Sequence, residues 1–112
     1  MTLTQSDRMT TFRDLAHEHE AVMHRSTPGR GGAHEGRRID VSSGAQIVVS
    51  FSAIRESRSG VEHVALGRFV LMRGIPLLWP VPNEALGDDI AVVIENRDTH
   101  PSDVHVMDHW RV

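Results

Sequence analysis

Near the end of the chain, in "HVMDHW", His105 and His109 stand four residues apart. Two imidazoles at that spacing share a metal ion when both lie on one face of a helix. The surrounding pattern argues for a strand instead. Val104, Val106, Trp110 and Val112 alternate with His105, Met107, His109 and Arg111, and only Asp108 breaks the parity. Such alternation marks a half-buried strand with one face toward the core. Residues four apart in a strand share a face but lie about 13 Å apart, too far to grip one ion together. Either ring could still join a ligand on a neighbouring strand.

Other residues could do chemistry in principle. His17, Glu20 and His24 fall at i, i+3 and i+7 of a polar flank near the N-terminus, a spacing at which a helix could offer them to one metal ion. A solvated helix face is the plainer reading, and no metal or other cofactor is expected. His19 sits inside an apolar stripe, where burial would depress its pKa and suit it to general base catalysis. A hydrogen-bonded core histidine is the plainer reading, because no nucleophile or oxyanion motif accompanies it. Arg30, Arg37 and Arg38 bring positive charge to a glycine-rich stretch that could meet phosphates or an acidic partner. No aromatic residues interleave them, and no strand–helix frame makes "GRGG" a nucleotide fingerprint.

The strongest feature for binding is "IPLLWPVP". Leu77, Leu78, Trp79 and Val81 form an apolar, proline-punctuated segment. It must either lid the domain's own core or meet a partner, and tryptophan is enriched at the centre of interfaces.

These residues need elements to position them. Residues 5–25 read as an amphipathic helix, with Phe12, Leu15, Ala16, His19, Val22 and Met23 on one stripe. Pro28 and Gly29 should end it. Residues 26–45 hold five glycines and read as a loop, with a short strand possible around Arg38 to Val41. From residue 46 the period changes to two: "QIVVSFSAI", the turn "ESRSG" and "VEHVALGRFVLM" make a hairpin. Its second strand is apolar on both faces, which predicts a central, doubly covered position. Pro76, Pro80 and Pro82 confine the next segment to a sheet edge. "DIAVVIEN" and the terminal segment complete about five antiparallel strands.

Composition narrows the function classes. The chain has 112 residues, a net charge of −3, and neither cysteine nor lysine. Thiolate, disulfide and Schiff-base chemistry are excluded. The missing basic excess speaks against nucleic-acid binding. The first residues lack a secretory pattern, and no apolar run is long enough for a membrane span. A cysteine-free chain of this kind is expected in the cytoplasm.

The sequence therefore predicts a single α+β domain over residues 1–112, its N-terminal helix packed on one face of the sheet. The expected function is non-enzymatic protein binding or assembly, as a homo-oligomer. The contacts would be Leu77, Leu78, Trp79 and Val81, with Arg30, Arg37 and Arg38 as a second possible contact. A small enzyme or metal-dependent protein using His19, or His17, Glu20 and His24, is the alternative. Weak nucleic-acid contact through the arginines comes third.

Overall fold

A computed structural model of the chain describes residues 5–25 and 36–111. Eight strands follow one another: β1 (Gln5–Leu15), β2 (Glu20–Arg25), β3 (Gly36–Ser43), β4 (Ile47–Ser57), β5 (Gly60–Leu71), β6 (Leu77–Pro80), β7 (Asp89–Asn96) and β8 (Ser102–Arg111). One 3-10 turn, Asn83–Ala85, precedes β7. The strands form two antiparallel four-stranded sheets, ordered β1-β8-β3-β6 and β2-β7-β4-β5. Their inner faces share one core, so the fold is a β-sandwich with the strand order of a jelly roll. Among the described residues no helix is long and apolar enough to cross a membrane.

The expected α+β class is overturned, and the N-terminal helix with it. Residues 5–15 pair with β8 and residues 20–25 pair with β7, one strand in each sheet. The helical stripe was real on paper because Phe12 and Leu15 precede a turn at residues 16–19 that resets the spacing before Met23. Phe12 and Met23 both reach the shared core, but from opposite sheets. Hydrogen-bond partners supplied by distant strands outweigh so weak a local preference. The expected loop 26–45 is also corrected: Gly36 to Ser43 form β3, an interior strand of the first sheet, while residues 26–35 lie outside the described residues.

Strand β5 is a second correction. It lies at the edge of its sheet rather than the centre, and Val61 and Val70 are exposed. Its two-faced apolar pattern comes from a bulge. Phe51 pairs with Gly67 and Ser52 with Ala65, which leaves Leu66 as the extra residue and reverses the parity on either side. Val64 before the bulge and Phe69 after it therefore both pack on the core. Beside the bulge, a Cβ at Gly67 would come within 2.9 Å of the Phe69 ring, so a side chain there would force that ring to shift.

The interior is layered along the strands. Ile39, Val41, Val104 and Val106 of the first sheet face Ile47, Val49, Phe51, Ile90, Val92 and Ile94 of the second. The Trp79 ring of β6 stacks on Phe51 with centroids 3.9 Å apart, and Phe69 meets Phe51 edge-on at 6.1 Å. At one end of the sandwich the apolar layer gives way to charge. Arg37 of β3 donates from Nε (3.0 Å) and Nη2 (2.7 Å) to the two oxygens of Asp108 on β8, and both side chains are buried. Arg8 of β1 reaches the same carboxylate at 3.4 Å and lies 4.7 Å over the Trp110 ring. Arg37 also donates to the Asp88 carbonyl, so the charged group is stitched to the other sheet's entry loop.

Two stability measurements test this description by urea unfolding. Trp79→Ala removes a buried, stacked ring and should cost about 3–5 kcal/mol. Arg37→Leu strands a buried carboxylate and should cost about 3–5 kcal/mol, while adding Asp108→Leu should return part of that loss.

Candidate functional site

The sandwich scatters most residues that the sequence offered for chemistry. His17 lies in the turn between β1 and β2, where its Nδ1 meets the Asp98 carbonyl at 2.6 Å and its Nε2 faces Glu18. Glu20 opens β2 on the outer face of the second sheet. The side chain of His24 lies outside the described ones. With the helix gone, the i, i+3, i+7 argument for a shared metal goes too. His19 is exposed in the turn rather than buried in an apolar stripe, so the burial expected of a core general base is missing.

Of the arginines, Arg30 lies outside the described residues. Arg37 is buried in its pair with Asp108, and its planar guanidinium is directed inward. Arg38, the next residue on β3, points to the outer face and makes a two-pronged ion pair with Asp40. The proline-rich segment divides in the same way. Trp79 is 6% exposed and Val81 is buried, Leu77 packs against the core, and Leu78 projects outward. The lid half of the earlier alternative describes Trp79: it closes the molecule's own core.

One small pocket of about 190 Å³ opens at the other end of the sandwich, lined by Gly44, Ala45, Arg73, Asp98, His100, Pro101 and Ser102. Its centre is a hub that the sequence showed only as a turn. Buried Asn96 donates to the carbonyls of Leu15 and His100 and accepts from the Asp98 amide. Asp98 in turn accepts from the Arg73 side chain and from the amides of Gln46 and Thr99. These donors, Arg73 foremost, hold the Asp98 carboxyl below its ordinary value of 3.8. A carboxylate so anchored binds loops together and is ill suited to proton transfer near neutral pH.

The outer face of the second sheet is a candidate surface that sequence reasoning missed. Its cross-strand rows follow from the register. Val22, Val93, Ser50 and Arg68 form one, Glu20, Glu95, Val48 and Val70 the next, and Ala91, Ser52 and Ala65 a third. Small and β-branched side chains fill most of the middle of the face, and Val22 and Val70 are 53% and 61% exposed. Charge lies at both margins, Glu20 on the β2 side and Arg68 on the β5 side, and also on interior strand β7, where Glu95 pairs with Arg97 at 3.3 Å. The available signal was the alternation of serine with apolar residues in "VVSFSAI", which leaves an outer face of serines rather than charges.

No protein-family model matches the chain, and no curated protein matches it. Solved structures do resemble it in fold. One is the crystal structure of Yersinia pseudotuberculosis-derived mitogen, 11% identical, with 94% of this chain and 84% of that chain covered at a TM-score of 0.52. Another is the subunit of Bacillus endospore appendages, described as a family of disulfide-linked pili. It is 9% identical over 99% of this chain and 89% of that one, with a TM-score of 0.50. A structure described as PirA is 15% identical over 95% and 92% of the two chains, with a TM-score of 0.49.

The hub carries a pH prediction. Because the folded state lowers the Asp98 value, its contribution to stability is complete above 3.8 and is lost as pH falls through the folded value. Asp98→Asn should therefore melt below the wild type at neutral pH, and the gap should close in acid, as read by thermal unfolding across the pH range. At similarly low identities, the likeness to the mitogen and to the pilus subunit is one of fold alone.

Proposed function

We propose that the chain is a non-enzymatic assembly module that pairs with a second copy through the outer face of its second sheet. One observation carries this reading. That face presents exposed Val22 and Val70 among mostly small side chains, with Glu20 at one margin, Arg68 at the opposite margin and the ion-paired Glu95 between them. Two such faces related by a two-fold axis parallel to the strands bring β2 of one copy over β5 of the other. Each cross-strand row then stacks on its own copy, so Val22 lies over the partner's Arg68 and Glu20 over the partner's Val70, one row away from Arg68. An isologous contact of this kind closes on itself as a dimer. The opposite charges fix its orientation more than its strength.

The pilus subunits show this fold in an assembling protein, but their disulfide linkage has no counterpart here, since these 112 residues contain no cysteine. A chain free of cysteine needs no oxidising compartment, which fits the cytoplasmic location that we also propose.

Size-exclusion chromatography with light scattering tests the pairing. The wild type should run as a dimer, Glu20→Arg and Arg68→Glu should each shift it toward monomer, and the double reversal should restore the dimer. A wild type that remains monomeric at high concentration would defeat the reading. So would a double reversal no better than either single one.

A further inference from the structure

On the far side of the molecule, the outer face of the first sheet holds a cluster that the self-association does not use. Met9 of β1 and Met107 of β8 are a directly opposed cross-strand pair. Directly opposite side chains begin about 4.5–5.5 Å apart at Cβ. Met9 is 59% exposed, so burial gives no account of a thioether there. His105 sits two residues before Met107 on the same strand and the same face, about 6.6 Å along it. It pairs across with Thr11, whose Oγ1 lies 3.1 Å from His105 Nδ1. The hydroxyl thus fixes the ring and leaves Nε2 as the nitrogen for a ligand, the arrangement by which an outer contact orients a metal-binding imidazole.

We propose that Met9, Met107 and His105 form a surface site for a soft monovalent cation, Cu(I) or its redox-inert analogue Ag(I). The donor set makes the choice. Two thioethers and one imidazole suit a soft ion, and the flexible methionine arms can close on it from opposed strands. The Asp40 carboxylate, which pairs with Met107 across β3 and β8, is engaged by Arg38 and by His109 Nε2 at 2.9 Å. The three donors themselves include no anionic oxygen, the ligand a hard divalent ion favours. Binding needs no electron transfer and no proton beyond the neutral imidazole. Sequence spacing alone could not show the site, because Met9 and Met107 meet only through the pairing of the first strand with the last.

Titration of the full chain with Ag(I), followed by native mass spectrometry and by the methionine methyl signals in NMR, tests the site. One Ag(I) per chain should be retained, moving the methyl resonances of Met9 and Met107 and the ring signals of His105. Leucine keeps the apolar bulk of methionine but lacks sulfur. Met9→Leu, Met107→Leu and His105→Gln should each weaken binding by about tenfold or more, whereas Met72→Leu, at an exposed methionine outside the cluster, should leave it unchanged. Zn(II) should not compete. Failure to retain Ag(I), binding that survives all three substitutions, or shifts centred on Met72 would overturn the proposal.

Discussion

The contact between Arg37 and Asp108 sets the terms for the rest of the first sheet. A buried carboxylate without a cation is severely penalised, so the two side chains must meet wherever the strands are placed. Side-chain direction alternates along a strand. Slipping β8 by one residue would turn Asp108 into solvent and drive His105, Met107 and His109 into the valine layer. The ion pair and the apolar parity of Val104, Val106 and Trp110 thus demand the same register, and Arg8 extends the demand to β1. Three strands remote in sequence are aligned by one carboxylate.

From that register the outward residues follow without further choice. Asp40, Arg38 and His109 must share a polar corner, and Met9 must lie beside Met107. At the other end of the sandwich the task falls to uncharged and charged groups together. Asn96 and Asp98 collect the loops around residues 15–19, 44–46 and 97–101. The apolar core therefore lies between two polar ends, each held by hydrogen bonds across the two sheets or between successive loops. Such closure is what a domain of this size needs, because its core alone leaves many backbone groups near the ends in want of partners.

The sequence disclosed most where alternation was strict. The terminal segment is extended because its valines recur every second residue, and β6 lies at an edge because Pro76, Pro80 and Pro82 cannot donate to a neighbour on both sides. Residues 5–25 were illegible for a definite reason. Their apolar positions suit a 3.6-residue period as well as two strands broken by a turn, and the residues that decide between these lie between 65 and 106 positions away. The bulge at Leu66 hid β5 in another way, by exchanging its faces halfway along. Arg37 looked like a loop cation because glycines crowd the residues before it, and its buried partner stands 71 residues further on. Asp108, the single break in the apolar parity, was the visible half of that pair. The outer face of the second sheet could not be seen before β2 was known to be a strand.

Edges and faces divide the molecule's exposed surface between protection and contact. Each outer strand carries a device against pairing with another chain. β1 is interrupted by an irregularity between Phe12 and Leu15, where Asp14 has φ of 52°, and β6 has four residues flanked by prolines. β2 is short, and β5 is kinked at Leu66 with Glu62 and Arg68 on either side. Kinks, brevity, prolines and charges on edge strands all oppose open-ended strand addition. The outer face of the second sheet is guarded less: serine, alanine and valine occupy most of it, with Glu20, Glu95 and Arg68 among them. Blunted edges fit the proposed pairing through a face, because edge pairing propagates and face pairing about a two-fold axis does not.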